Sequence, residues 1–110
     1  MDRYLEIGQR VFCCDYADRD MMGYGTVMLI SGKEEPSIIY DDTIVLLRMD
    51  NGVTENEVYG SQVYIIAQLL SDRIGETVCY EHANLGYDYY MPSNDKNYML
   101  GELYDYTKDR

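Results

Sequence analysis

Two residues carry the groups needed for nucleophilic catalysis, the thiol of Cys79 and the imidazole of His82. An imidazole within reach of a thiol can act as the general base that turns it into a nucleophile. His82 is the single histidine of the chain, and a lone histidine in a predicted loop is more often an ordinary surface residue. We therefore expect a protein that is not an enzyme, and a small hydrolase or metal enzyme built on this pair is the alternative.

Metal binding is also weakly indicated by the sequence. The side chains that could serve zinc are those of Cys13, Cys14, Cys79 and His82. Because neighbouring residues of a strand point to opposite faces, Cys13 and Cys14 cannot easily reach one ion together. The acidic stretch of residues 15–23 lacks the ligand spacing and the closing glutamate of a calcium loop. We expect no metal and no cofactor.

Carboxylates are the most abundant functional groups of the chain. Twenty Asp and Glu residues against nine Lys and Arg residues give a net charge of −11. Residues 1–66 carry five basic and twelve acidic side chains, and residues 67–110 carry four and eight. A surface of this charge repels nucleic acid and anionic membranes and attracts basic protein surfaces. The alternative is that the charge serves solubility alone.

Most of these carboxylates fall in segments that connect predicted strands. If the connecting loops lie at one end or along one face of a sheet, they form an anionic stripe suited to a groove lined with Lys and Arg. The predicted stripe consists of Asp15, Asp18, Asp20, Glu34, Glu35, Asp41, Asp42, Glu55 and Glu57.

Tyrosine is the second unusual component, with thirteen residues against one Phe and no Trp. Seven of the thirteen lie in the segment from Tyr80 to Tyr106. Its side chain joins an apolar ring to a polar hydroxyl and is enriched at protein interfaces. The alternative role, for Tyr89, Tyr98 and Tyr104 among others, is packing against the sheet. An exposed patch in the tail would also permit a homodimer. The tyrosines predicted to contact a partner are Tyr24, Tyr40, Tyr87, Tyr89 and Tyr90.

The remaining bulk features favour the cytoplasm. Three cysteines, two of them adjacent, make a poor disulfide framework and fit reduced thiols. The first residues lack a cationic region followed by an apolar one, so we expect no signal peptide. The sequence has no apolar run near the roughly 20 residues that cross a bilayer, so no membrane partner is expected.

The residues discussed above are predicted to lie on short strands and in the loops between them. Runs of β-branched and aromatic residues that end in Gly, Asn or Asp lie at residues 10–16, 26–30, 38–40, 43–49 and 53–59. Residues 43–49 are apolar at both sets of alternating positions, as in a central strand covered on both sides. Asp50-Asn51-Gly52 predicts the turn of a hairpin, because Asn and Gly tolerate positive φ angles.

Residues 61–75 are ambiguous. A strand at residues 63–66 would close a barrel, whereas the spacing of apolar residues up to Ile74 fits a helix capped by Ser61. We favour a short strand or turn followed by a helix that ends near Gly75.

The tyrosine-rich tail, residues 76–110, contains predicted strands at residues 77–80 and 87–91, a turn or a helix start at 92–95 and an amphipathic helix beyond it. The predicted fold class is mainly β. It consists of a small antiparallel barrel over residues 1–75 with the tail as a C-terminal α/β extension packed on the same domain.

The glycine-punctuated pattern of about the first sixty residues resembles Src-homology-3-like small barrels of the Tudor and KOW type. The segments that carry the resemblance are Ile7-Gly8-Gln9-Arg10-Val11, Gly23-Tyr24-Gly25-Thr26-Val27, Ile44-Val45-Leu46-Leu47, Asp50-Asn51-Gly52 and Glu57-Val58. Such barrels serve many binding functions, so the resemblance implies a fold more than a function.

Each of the two barrel types implies a different ligand. Tudor modules hold methylated side chains in an aromatic cage by cation–π attraction. That implies a peptide-binding adaptor in which Tyr16, Tyr24 and Tyr40 supply the cage. KOW modules bind RNA through basic loops, and this acidic chain lacks them.

The small size, acidity and tyrosine content also resemble the inhibitors that phages and mobile elements direct against host defence. Anti-CRISPR and anti-restriction proteins of this kind present carboxylates where DNA would present phosphates. The resemblance implies a non-enzymatic inhibitor in the host cell cytoplasm that blocks the nucleic-acid-binding site of a defence protein, for example a CRISPR effector. The Tudor-like adaptor is the alternative.

Overall fold

The computed structural model describes residues 3–52, 55–82 and 86–108. The chain divides into two compact units, the first ending at Ile65 and the second beginning at Ile66. The predicted boundary after residue 75 lies further along the chain, so the helix that precedes Gly75 belongs to the second unit.

The first unit, residues 3–65, is built from antiparallel strands. Five of its strands form one sheet, and two more form a separate ladder, within which Arg3 pairs with Ile39. The strands are β1 (Arg3–Leu5), β2 (Arg10–Cys14), β3 (Met22–Ile30), β4 (Ser37–Ile39), β5 (Ile44–Met49), β6 (Glu55–Tyr59) and β7 (Val63–Ile65).

The five-stranded sheet has the order β6-β5-β3-β2-β7, and β1 pairs with β4. Short 3₁₀ turns at Arg19–Met21 and Gly60–Gln62 precede β3 and β7. The mainly-β class with antiparallel sheets is therefore confirmed. In the described part of the chain, no sheet closes into a barrel.

Strand β5 is an interior strand of this sheet, paired with β6 on one side and β3 on the other, and the central position belongs to β3. Its residues alternate between the core and an outer face that is only partly covered. Ile44 and Leu46 are partly buried and Arg48 is exposed, so the prediction of cover on both sides is wrong for the outer face. The residues of β5 that point into the core are Val45, Leu47 and Met49.

Strand β3 begins at Met22 rather than at the predicted Thr26. Gly25 lies inside this strand, at a position where a side chain would be crowded by β5. A Cβ atom there would lie 2.9 Å from the sulfur of Met49 and 3.2 Å from the carbonyl oxygen of Arg48. The predicted turn after β5 is confirmed, since Gly52 adopts a φ of 76° and its N–H donates to the carbonyl of Met49.

The ambiguous stretch forms a short strand, β7, followed by helix α1 (Gln68–Ile74), as favoured from the sequence. Gly75 ends this helix in the left-handed conformation, and its N–H donates to the carbonyl of Ser71 at 2.8 Å. Ser61 lies in the 3₁₀ turn before β7, so its predicted role as the helix cap is wrong.

The second unit, residues 66–108, combines helix α1 with a small sheet and a second helix. The further elements are β8 (Cys79–Tyr80), β9 (Tyr89–Met91), β10 (Lys96–Tyr98) and helix α2 (Leu100–Lys108). The sheet is antiparallel in the order β10-β9-β8. Helix α2 forms despite Gly101, and Glu102 accepts a hydrogen bond from the N–H of Met99 at 3.0 Å, which caps its first turn.

Strand β10 was not predicted, because Lys96-Asn97-Tyr98 lacks the apolar alternation of a strand. It forms by pairing with β9 after a turn in which Asp95 adopts a φ of 54°. The buried cluster of this unit contains Ala67, Ile74, Val78, Met91 and Leu103. None of the helices in the described ranges is long and apolar enough to cross a membrane.

Candidate partner-binding surfaces

A buried arginine holds together the end of the first unit where β6 leads into β7. Arg3 is 5% exposed, and its Nη1 donates to the carbonyl oxygens of Gly60 at 2.6 Å and Val63 at 3.1 Å. Its Nη2 donates to Oδ1 of Asp41 at 3.0 Å. Burial lowers the pKa of Arg3, while the charge of Asp41 opposes that effect. Asp41, predicted to contact a partner, therefore forms an ion pair with Arg3, although its side chain stays 79% exposed.

Two exposed ion pairs cross the outer face of the same sheet. Arg10 forms an ion pair with Asp50, and its Nη1 also donates to the hydroxyl of Thr26 at 3.0 Å. The hydrogen bond from Arg10 lowers the pKa of Asp50. Arg48 of β5 pairs with Glu55 of β6, with 2.8 Å between Nε and Oε1. Glu55, like Asp41, thus has a structural partner.

These pairs change the charge that the first unit presents to solvent. Residues 3–65 carry eleven acidic and five basic side chains, and three of each are joined in ion pairs. Eight carboxylates then stand against two basic side chains, those of Arg19 and Lys33. The outward charge of this unit is therefore more uniformly negative than its composition suggests.

The acidic loops lie at both ends of the five-stranded sheet. The loop with Asp18 and Asp20 meets the β5–β6 turn, where the amide of Asn51 donates to the carbonyl of Asp20 at 2.8 Å. Strand β5 has six residues, so the two ends are roughly 20 Å apart. The predicted residues found at the opposite end, after β3 and before β5, are Glu34, Glu35, Asp41 and Asp42. The carboxylates therefore form two groups rather than one cluster at one end.

Two of the predicted carboxylates come together in a surface depression of about 300 Å³. Its walls are formed by the side chains of Asp15, Glu57, Tyr59, Gln62 and Ile44. Ile44 and Tyr59 are direct neighbours across β5 and β6. Asp15 directly follows β2, and β7 begins directly after Gln62. Because β2 pairs with β7, Asp15 lies beside Gln62 and reaches the depression. Two carboxylates beside an aromatic ring favour a cationic group by charge and by cation–π attraction.

The edge strand beside this depression is closed to an added strand. The N–H of Glu57 donates to the side-chain oxygen of Asn56 at 2.9 Å, and the N–H of Tyr59 donates to that of Gln62 at 2.9 Å. These side chains occupy the donors that an incoming strand would need. A partner at this edge must therefore bind through side chains.

The predicted aromatic cage is not formed. The carbonyl of Tyr24 accepts from the N–H of Asp50 at the end of β5, whereas the carbonyl of Tyr40 accepts from Thr43, before β5 begins. The two tyrosines are thus separated by the length of β5, and their rings cannot face each other around one methylated side chain. Tyr24 instead packs edge-to-face on Phe12, with 5.2 Å between ring centroids. This corrects the cage that the Tudor resemblance implied.

The predicted tyrosines of the second unit have three different environments. Tyr90 is 4% exposed and its hydroxyl donates to Asp95 at 2.8 Å, so it belongs to the interior. Tyr87 is exposed, and Tyr89 is half-buried. Burial, with a contribution from neighbouring Tyr80, raises the pKa of Tyr89.

Tyr89 is part of a groove of about 390 Å³ between α1, the small sheet and α2. Sequence reasoning missed the other residues of this groove, although Leu69 and Leu70 offered a signal. Leu70 and Ile74 are four residues apart and share one face of a helix, whereas Leu69 lies about 100° around the helix from Leu70, which made Leu69 the candidate for an outward position. The side chains that shape the groove are those of Leu69, Leu70, Tyr80, Tyr89, Leu100 and Tyr104.

The candidate nucleophiles are inaccessible. All three cysteines are buried and form no disulfide, and burial raises the pKa of Cys13 to about 12. Cys79 has 0% exposure, so a substrate cannot reach its sulfur in this fold. In the ranges that the structure describes, no three His, Cys, Asp or Glu side chains converge into a possible metal site.

Comparisons of the chain with protein-family models, with curated proteins and with solved structures found no match.

Proposed function

We propose that this chain is a non-enzymatic acidic binding protein whose partner is a basic protein surface. The observation that carries the proposal is the depression in which Asp15 and Glu57 meet beside Tyr59. The internal ion pairs of Arg3, Arg10 and Arg48 support it, because they remove most of the positive charge that would repel a basic partner. Charge of one sign also speeds encounter with such a partner.

The finer proposal for the fold is that β2, β3, β5, β6 and β7 form an opened Src-homology-3-like barrel. Support comes from the strand order β6-β5-β3-β2-β7 and from the 3₁₀ turn Gly60–Gln62 between the two edge strands. The register shift between Val27 and Leu29 bends the long strand β3, as closure of a small barrel requires.

The sharper functional proposal is an inhibitor of the anti-CRISPR type that occupies a nucleic-acid-binding site of a host defence protein. The two acidic groups at opposite ends of the sheet, roughly 20 Å apart, support it, because a nucleic-acid groove offers basic side chains over a comparable length. Contact through side chains is also consistent with the closed edge of β6.

The test is capture of nucleic-acid-binding proteins from bacterial lysate by the immobilised chain at low and at high salt. The proposal expects a captured protein that is lost at high salt and displaced by duplex DNA or guide RNA. Capture that resists salt and is not displaced by nucleic acid would contradict it.

A matched pair of variants locates the contact. Asp15→Asn with Glu57→Gln removes two charges from the depression, and Glu34→Gln with Glu35→Gln removes two charges from the β3–β4 loop. The Asp15→Asn substitution keeps a side-chain oxygen able to accept from the N–H of Ala17, as the carboxylate does in the native turn. The first pair is expected to weaken capture more than the second. Equal losses would show that only net charge matters and would remove the role assigned to the depression.

A further inference from the structure

The groove of the second unit exposes apolar side chains that are not part of the buried core of that unit. Leu69, on α1, is 87% exposed, and Leu100, on α2, is 39% exposed. Neither side chain belongs to the buried cluster around Leu103. Apolar groups concentrated in a concave surface, rather than scattered singly, are characteristic of a binding site.

The tyrosines of the groove are held in a defined arrangement. The rings of Tyr80 and Tyr89 lie 5.7 Å apart, and the guanidinium of Arg73 stacks 4.5 Å from the centroid of Tyr104. Rings that are fixed before binding lose little conformational entropy when a partner arrives. Aromatic side chains in such positions contribute strongly to binding energy.

The carboxylates near the groove favour a cationic ligand. The amide of Gln68 at the rim donates to Asp72 at 2.8 Å, and Asp88 lies close enough to Tyr89 to raise its pKa further. Residues 66–110 carry eight acidic and four basic side chains, and one of the four, Arg73, is already stacked on Tyr104, so the remaining excess of carboxylates attracts a cationic ligand. A second copy of the chain would instead bring a charge of −11 against the same charge.

We propose that this groove is a docking site for an amphipathic, cationic segment of a partner protein, which inserts a leucine or aromatic side chain beside Leu69, Tyr80 and Leu100. The segment's lysine or arginine side chains face the carboxylates at the rim. This proposal rests on the proposed function, since it assigns the basic partner a second, apolar contact in a different unit of the chain.

The test uses a lysine–leucine amphipathic peptide that carries one tryptophan on its apolar face. The chain has no tryptophan, so the fluorescence of the peptide reports binding without background. A blue shift of its emission is expected with the wild-type chain. Leu69→Ser is expected to weaken binding by about tenfold, the factor that corresponds to burying part of one leucine. Because Leu69 is almost fully exposed, this substitution leaves the fold intact.

The control variant is Ile38→Ser, which removes an exposed aliphatic side chain from the first unit. It is expected to bind the peptide as the wild-type chain does. The proposal is overturned if Leu69→Ser binds equally well, or if a peptide with glutamate at every lysine position binds equally well. It is also overturned if sedimentation shows a dimer that Leu69→Ser dissociates, since the occupant is then a second copy.

The two proposals fail separately. If the variants of Asp15 and Glu57 weaken capture of the partner while Leu69→Ser changes neither capture nor peptide binding, the groove has no docking role and the proposed function stands. If Leu69→Ser weakens peptide binding while capture is independent of salt and charge, the groove binds apolar segments and the proposed function is wrong.

Discussion

The two units of this chain are both acidic, yet their surfaces differ. The first unit presents ion pairs and a blocked edge strand, whereas the second presents an open apolar groove. Among its described residues, the first unit has twelve buried side chains in its core cluster, pairs three of its four arginines with carboxylates and blocks its edge strand with side-chain amides. Among the described residues of the second unit, the core cluster has five buried side chains, and a groove of leucine and tyrosine stays open. Paired charges and apolar contact area are therefore concentrated in different parts of the molecule.

The difference follows from the amount of sequence available to each unit. Strands of five to nine residues, such as β2 and β3, have room for one buried and one polar face. The strands of the second unit have two or three residues each, so its core depends on a few side chains from two helices. Apolar side chains on those helices that find no place in the core remain at the surface.

Gly60→Ala is expected to have the largest effect, and only in the first unit. A Cβ atom at this position would lie 2.0 Å from the carbonyl oxygen of Tyr40, so the turn that Arg3 clamps must open. We expect a loss of at least about 3 kcal/mol in the free energy of unfolding. Urea unfolding measures the loss, and alkylation should reach Cys13 before Cys79.

The control for this prediction is Gly101→Ala in helix α2. Nothing lies within 4 Å of a Cβ atom there, and alanine favours a helix by about 0.5 to 1 kcal/mol over glycine. This variant is expected to be slightly more stable than the wild-type chain. A Gly60→Ala variant of unchanged stability would disprove the packing described for the turn.

Leu103→Ala tests the smaller core of the second unit. The side chain has 0% exposure, and its truncation is expected to cost about 3 kcal/mol by the loss of burial and the cavity left behind. Hydrogen exchange should accelerate most in α1 and β9, and alkylation should now reach Cys79 first. Equal acceleration in β5 would contradict the division into two units.

Arg3→Met should destabilise the first unit by about 2 kcal/mol, because it removes the guanidinium donor from the buried carbonyl oxygens of Gly60 and Val63, of which Gly60 keeps the N–H of Val63 as a donor. Arg48→Met is the control, since it removes an exposed ion pair worth about 0 to 1 kcal/mol. Thermal unfolding of both variants measures the difference. Equal losses would show that burial does not strengthen the Arg3 contacts.

The smallest expected effect is a pH dependence of the Arg10–Asp50 pair. The pKa of Asp50 is lowered in the folded state, so its contribution is complete above the ordinary pKa of about 3.9 and disappears as the pH falls through the folded value. Asp50→Asn should lower the Tm slightly at neutral pH. The Tm difference from the wild-type chain should vanish in acid, and a difference independent of pH would contradict the assignment.

Much of the local structure could be predicted because it depends on neighbouring residues. The turn at Asp50–Gly52, the short strand before α1 and the end of α1 at Gly75 all follow from residue types that tolerate positive φ or alternate in polarity. Strand β10 could not be predicted, since Lys96-Asn97-Tyr98 is held by its pairing with β9 and not by its own composition.

The candidate binding residues were predicted less well, since sequence shows which side chains are polar and not which of them find partners. Asp41 and Glu55 were placed in the anionic stripe, but each forms an ion pair within the first unit. Tyr90 was expected at a contact surface and is buried, whereas Leu69 was overlooked and is the most exposed of the large apolar side chains described.

Composition and local preferences need no distant contact, so the amino-acid sequence was sufficient to predict the charge, the abundance of tyrosine, most of the strands and the two helices. Which of those groups remain available to a partner depends on contacts between distant parts of the chain. Arg3 and Gly60 are 57 positions apart, yet the contacts of Arg3 neutralise Asp41 and shape the end of the sheet. Burial and ion pairing of this kind are long-range, so only the folded chain separates the carboxylates that pair with an arginine from the others.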